Sequence, residues 1–294
     1  MKQKHTKLFY LLGCIALLLL IFGFVWYKKQ EGLTTKTTTT TTTFKPKKKP
    51  QYLNGIDMIY WINLDRSPDR RFQMESMFEN NVFKGIPKQR ISAFDGKKDP
   101  KLVFSKLNIL SSKKQTNIEY ACLLSHLETI KTFHESENKV ALIFEDDVNL
   151  EFKKYWNKTV KQIMENAPSD WEIILLSYIY KDTTNKFYNW DKTNDDYDDA
   201  TNYYSGISYL INKNGSSKIM KTYNNGIYTL AKDTVHVADS HIYEITNSYA
   251  YKYPMFIYAT VNNSTIHADH IPYHVQSKEL ILKNYSTFTE GTKD

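Results

Sequence analysis

Cysteine is nearly absent from this chain, with two in 294 residues. Cys14 falls inside a long apolar run and Cys122 stands alone beyond it. The rest of the chain therefore has no internal disulfide and carries no signature of an oxidising compartment. A charge excess is also missing where it would count. The formal charge is +7, yet ten of the 39 basic residues and one of the 32 acidic ones lie in residues 1–50, which leaves 29 against 31, a formal −2, for the remainder. Nucleic-acid binding is therefore disfavoured. No internal repeat is present, so one domain is the simplest organisation for the roughly 240 residues beyond the N-terminus.

The N-terminus has a different character. Leu8 to Tyr27 is uncharged and almost wholly apolar over about 20 residues, the length a helix needs to cross a bilayer. It ends in Phe24-Val25-Trp26-Tyr27 without a small-residue cleavage site, and Trp26 and Tyr27 suit the membrane interface. The expectation is a single-pass signal-anchor. Four regions follow: a basic tail at 1–7, the transmembrane anchor at 8–27, a Thr/Lys/Pro-rich stalk at 28–54 too poor in apolar surface to fold, and a globular domain at 55–294. Lysines flank both ends of the span. A literal positive-inside count favours a cytoplasmic domain, whereas short-tailed signal anchors commonly place it in the lumen, which is the orientation expected here. Asn157, Asn214, Asn262, Asn263 and Asn284 head glycosylation sequons and permit that placement.

The most informative feature is the junction Ala141-Leu-Ile-Phe-Glu-Asp-Asp-Val148, where an apolar strand runs into three consecutive carboxylates. Clustered carboxylates repel one another and desolvate badly, so they belong at the open carboxyl end of a buried strand. There they can hold a hard divalent cation, Mn²⁺ or Mg²⁺, of the kind that neutralises a departing nucleoside diphosphate. An acidic loop facing solvent is the plain alternative.

Elsewhere the pattern alternates between strand and helix. Strands are expected at Ile56–Leu64, Gln89–Phe94, Val140–Phe144, Trp171–Leu176, Gly206–Ile211 and Phe256–Val261. A helix is expected at Pro68–Asn80, capped by Ser67 and buried through Phe72, Met77 and Phe78. Others are expected from Ile118 to Phe133, from Phe152 to Ala167, from Asn214 to Tyr223 and around Ala238–Thr246. Asn185–Asn202, with Asp191, Asp195, Asp196, Asp198 and Asp199, reads as a solvated loop, and Pro272 as a break in any helix there. The order implies an α/β fold with a mostly parallel sheet, in which ligands gather at strand carboxyl ends.

Four separated segments resemble one family. They are Ile62-Asn-Leu-Asp-Arg-Ser-Pro-Asp-Arg-Arg71 with Ala93-Phe-Asp-Gly96, then Glu119–Leu127 with Cys122, Ser125 and His126, then Glu145-Asp146-Asp147, and lastly Gly206–Gly215. In that order they resemble glycosyltransferase family 25, the lipooligosaccharide and procollagen galactosyltransferases. The chain departs from the family at Tyr120-Ala121, where Ile-Gly is common, and at Ala238-Asp239-Ser240, a loose match to a late Pro-x-Asp element. The resemblance implies a GT-A type nucleotide-sugar fold, a UDP-sugar donor, usually UDP-galactose, inversion at the anomeric carbon, and a glycan, lipid-linked saccharide or protein hydroxyl as acceptor.

Roles can then be assigned residue by residue. Asp147 is the expected metal ligand, with Glu145 and Asp146 beside it for water-mediated metal or ribose contact. Asn63, Asp65 and Arg71, at the first strand–helix junction, are expected to hold nucleotide, although Asp65 and Asp69 could simply favour the helix N-terminus. Asp95 and Gly96 border the nucleoside or form a plain turn. Ser125 and His126 meet the diphosphate or the carboxylates, or His126 is a hydrogen-bonded core histidine, while Cys122 is packing. Asp239 is the candidate catalytic base, with helix capping as its alternative. His267 is the candidate late metal ligand among His267, Asp269, His270 and His274. A catalytically silent scaffold displayed on a membrane is the competing reading for the whole chain.

Overall fold

The computed structural model describes residues 51–110, 115–180, 196–230, 235–259 and 271–290. The expected anchor and most of the stalk lie outside these residues, as do His267, Asp269, His270, Asp191 and Asp195. Among the described residues no helix is long and apolar enough to cross a membrane.

Fourteen strands are described: β1 (Met58–Asn63), β2 (Lys88–Ser92), β3 (Leu107–Ile109), β4 (Val140–Glu145), β5 (Val148–Asn149), β6 (Ile173–Leu175), β7 (Ile179–Tyr180), β8 (Tyr197–Asp199), β9 (Tyr203–Tyr204), β10 (Ser208–Asn212), β11 (Tyr223–Asn224), β12 (Ile227–Leu230), β13 (Ser248–Tyr251) and β14 (Ile257–Tyr258). Seven helices accompany them: α1 (Pro68–Phe78), α2 (Pro100–Ser105), α3 (Asn117–Glu135), α4 (Val160–Asn166), α5 (Lys213–Met220), α6 (Ala238–Ile245) and α7 (Ile271–Glu290). The main sheet has seven strands in the order β2-β1-β4-β10-β6-β13-β8. Its β2, β1, β4, β6 and β13 run parallel, while β10 and β8 run against them.

The inner strands show why their sequences do not alternate. In β1, Ile59 to Asn63 are all buried, and in β4 Ala141 to Phe144 are fully so, because helices cover both faces. The face carrying α3 is the most apolar. Its Leu123, Leu124, Leu127, Ile130 and Phe133 are completely buried, and a capping box between Thr116 and Glu119 fixes its start.

Several expectations are corrected. Ser67 sits at the start of α1 without a side-chain cap bond, and Phe72 is 72% exposed; the helix buries Met74 and packs Met77 and Phe78 instead. The expected helix at 152–167 is two pieces, a 3-10 turn over Glu151–Tyr155 and α4. Trp156 takes an extended backbone and sends its indole N–H to the Met255 carbonyl at 2.5 Å, and the Thr159/Gln162 capping box then opens a new helix. The strand near Gly206–Ile211 is β10, antiparallel to both neighbours. The late strand, β14, pairs only with β5, whereas β13 supplies the main-sheet strand. Asp198 and Asp199 belong to edge strand β8, not to a loop. Pro272 lies in the first turn of the 20-residue α7, where its missing N–H has no intrahelical partner to lose.

Candidate functional site

β1 and β4 end side by side, with Ile62 opposite Glu145, so Asn63 and the turn Glu145-Asp146-Asp147 share one edge of the sheet. Asp146 is buried and accepts a 2.6 Å bond from Asn63 Nδ2, while Arg90 Nε donates to Asn63 Oδ1 at 2.9 Å. From α1, Arg70 spans two carboxylates, Nη1 to Asp146 Oδ1 and Nη2 to Asp147 Oδ2, both at 2.7 Å. Asp147 Oδ1 is buried and has no hydrogen-bond partner among the described residues.

The electrostatics follow from this count of one guanidinium against three carboxylates. Burial pushes the Asp147 carboxyl up to about 7; Arg70 opposes that, and Glu145 and Asp146 add to it. Asp146 is raised for the same first reason, with Arg70 and Asn63 resisting. Arg70 is held above its ordinary value because the three carboxylates outweigh the cost of its burial. The turn is short of positive charge.

Behind it, fully buried His126 reaches Glu145 Oε1 through Nε2 at 3.1 Å and the Tyr209 hydroxyl through Nδ1 at 2.9 Å. Burial raises the Tyr209 hydroxyl well above its ordinary value, and because a carboxylate oxygen only accepts, Nε2–H donates to Glu145 while Nδ1 and the Tyr209 hydroxyl share the second bond. His126 is thus at once a buried, hydrogen-bonded core histidine and a partner of one carboxylate of the turn. Cys122, one helical turn earlier, packs against the core as expected and also lines the cleft, its Sγ within 4.8 Å of ligand atoms of His126 and Glu145. Burial, then the nearby carboxylates, push its thiol well up.

The cleft over this turn has a volume of about 700 Å³, bordered by Arg70, Glu145 and Asp147 and by Ser205, Gly206 and Asp239. Ser205 holds a left-handed backbone at φ 128°; its N–H donates to Asp239 Oδ2 at 2.8 Å, and Tyr243 donates to its carbonyl at 2.5 Å. Asp239 also accepts from the Ser240 N–H at 2.7 Å in the first turn of α6, so it both faces the cleft and serves the helix start. A Cβ at Gly206 would lie 2.7 Å from Glu145 Oε1 and 3.0 Å from the His126 ring. Only glycine leaves Glu145 and His126 in place.

Of the residues singled out in the sequence, Cys122, Glu145, Asp147, Asp239 and His274 line the cleft, and Asn63, Asp146 and His126 bond to groups at its floor. Asp65, Arg71, Asp95, Gly96 and Ser125 do not line it. Asp65 turns to Arg90 and Ser92 at 2.6 and 2.8 Å, bonds that lower its pKa. Arg71 pairs with Glu75 on the exposed face of α1. Asp95 bonds Arg66 and the N–H groups of Lys97 and Lys98, Gly96 passes where a Cβ would meet the Asn117 carbonyl at 2.2 Å, and Ser125 Oγ accepts from the Phe94 N–H. Gly96 and Ser125 seat the loop after β2 against α3, while Asp95 ties it to Arg66 and within itself. Sequence reasoning missed Arg70 and Tyr209. Arg70 had a signal, since 70, 74, 77 and 78 share one helical face, but Phe72 had been taken to mark that face.

A sheet largely parallel, flanked by helices, with a carboxylate turn at the end of a central strand, fits a glycosyltransferase. The model of the family described as glycosyltransferase family 25 (LPS biosynthesis protein) matches residues 56–236, and the chain belongs to that family. Among curated relatives, human procollagen galactosyltransferase 2 is 34% identical over 135 residues, covering 42% of this chain and 21% of that protein. Its mouse counterpart is 33% identical over 134 residues, with the same coverage. A glycosyltransferase 25 family member of Drosophila pseudoobscura pseudoobscura is 26% identical over 174 residues, covering 56% of this chain and 27% of that protein. The chain thus spans less than a third of the length of these relatives.

Proposed function

We propose that the chain is a membrane-anchored, GT-A type hexosyltransferase that moves galactose from UDP-galactose, with inversion, to a hydroxyl of a glycan or protein. The single observation that carries this reading is the partnerless Asp147 Oδ1 at the floor of a 700 Å³ cleft, in a turn with too little positive charge. Hard carboxylate oxygens suit Mn²⁺ or Mg²⁺, and Asp147 Oδ1 with Glu145 would hold the ion while Arg70 keeps Asp147 Oδ2. Such an ion, when bound, neutralises charge on the diphosphate.

The remaining work belongs to side chains. Asn63 and Arg70 hold Asp146 and Asp147 in place, and His126 aims Glu145, so the acidic turn is set before donor arrives. Asp239 takes the proton of the acceptor hydroxyl as that oxygen bonds to the anomeric carbon and the bond to UDP breaks on the opposite face. The galactosyl preference rests on the names of the relatives, and the lumenal placement on the sequence of the N-terminus.

Purified chain incubated with Mn²⁺ and a panel of UDP-sugars tests the proposal. UDP release from UDP-galactose above that from other donors, abolished by a chelator, is the expected result. A folded chain that binds no member of the panel would replace the enzyme with a silent scaffold.

A further inference from the structure

We propose that Cys122, His126 and Glu145 form a second cation site, for a soft or borderline metal such as Zn²⁺, sharing Glu145 with the acidic turn. Their ligand atoms already lie within 4.8 Å of one another. Tetrahedral zinc with Zn–S about 2.3 Å and Zn–N about 2.0 Å sets ligand atoms roughly 3.5 Å apart, so the site closes by shifts of about 1 Å. Thiolate with imidazole selects zinc over the hard ions that carboxylates alone prefer.

The surroundings suit a metal. Cys122 and His126 lie four residues apart on α3, one turn of a well-packed helix, and so project from the same side. The Tyr209 hydroxyl at 2.9 Å from Nδ1 fixes the His126 ring, as outer partners of metal-bound imidazoles do, and Nδ1–H would donate to it once Nε2 turns its lone pair to the ion. Gly206 packs its backbone close against Glu145 and His126, where a Cβ would lie 2.7 Å from Glu145 Oε1, and so keeps both ligand atoms in place. Cys122 and Glu145 both border the cleft, which leaves a fourth position for water or an incoming ligand. Binding passes the Cys122 thiol proton to solvent and draws Glu145 away from the acidic turn. Zinc and the hard cation therefore compete for one carboxylate, and zinc turns the site off.

This inference stands on geometry and does not require the chain to transfer sugar. Full-length chain titrated with Cd²⁺ should develop the ultraviolet thiolate-to-cadmium absorption band, saturating at one ion per chain, and Zn²⁺ should displace it. Cys14→Ser should keep the band and Cys122→Ser should lose it, with affinity for Zn²⁺ down at least about 100-fold. Glu145→Gln, at a carboxylate bordering the cleft, gives a second reading if Cys122→Ser does not fold: affinity should fall about tenfold or more with the band retained. No band in the parent chain, a band surviving in Cys122→Ser, or unchanged Zn²⁺ affinity in Glu145→Gln would overturn the site.

Discussion

Two acidic runs, Glu145–Asp147 and Asp196–Asp199, use the same chemistry to opposite ends. In the second, every carboxylate finds a local partner: Asp196 pairs with Lys158, Asp198 accepts from the Tyr203 hydroxyl at 2.8 Å, and Asp199 caps the following turn through Thr201 at 2.8 Å. That run lies at the edge strand β8. The first ends the inner strand β4, shares one arginine between two aspartates, and keeps one buried oxygen without a partner among the described residues. Placement in the sheet separates a structural acidic run from a candidate site; composition does not.

Substitution should break the symmetry between the two runs most sharply in turnover. Asp147→Asn is expected to cut sugar transfer about a thousandfold, as removal of a preorganised charge-stabilising group does, while Asp198→Asn leaves it within about twofold. Steady-state assays on both variants, with circular dichroism to show folding, check this. Asp239→Asn should lower kcat by at least about a hundredfold and leave UDP affinity unchanged, because a base acts on the acceptor and not on the nucleotide. Equal losses in both would remove Asp239 from that role.

Stability offers a second contrast. Arg70→Met strands Asp146 and Asp147, whose partner side chain is only 17% exposed, and should cost about 2 kcal/mol, a figure reduced from that for a fully buried pair because Asp147 is 25% exposed. Lys158→Met breaks a pair with both side chains 29% exposed and should cost about 1 kcal/mol or less. Urea denaturation of the two variants gives the comparison directly.

A further contrast lies in pH dependence. Asp147 titrates near 7 when folded and near 3.9 when unfolded, so its folded form binds more protons between those values. Its contribution to stability is present below about 4 and is lost as pH rises to about 7. His241, which burial lowers to about 4, acts with the opposite sign, adding stability as pH rises from about 4 to 6.5. The melting temperature of the parent chain minus that of Asp147→Asn should therefore fall between pH 4 and 7 in chelator, which isolates the aspartate. Added Mn²⁺ should flatten that difference.

Much of the fold was legible where one local signal dominated. Unbroken apolar runs marked β1 and β4 because both faces are covered, and apolar residues at helical spacing marked α3. The acidic turn was readable because charge following a buried strand has few places to go. Other features depended on contacts distant in sequence. β13, Ser-Tyr-Ala-Tyr, is a strand only because β6 and β8 flank it. The break at Trp156 depends on Met255, almost a hundred residues away. Arg70 and Arg71 look equivalent in sequence, and α1's orientation sends one to the carboxylates and the other to Glu75. Cys122 reads as packing because its helix is apolar, and it does pack against the core; the approach of Glu145 from β4 is the contact its own helix could not announce.

The central claim is that the turn after β4 binds a hard divalent cation together with a nucleoside diphosphate. Electron paramagnetic resonance of free Mn²⁺, titrated against the chain with and without UDP, measures this directly. The account predicts one bound ion per chain that UDP tightens and Asp147→Asn abolishes. Undiminished Mn²⁺ binding in Asp147→Asn, or no binding in the parent chain with UDP present, would contradict it.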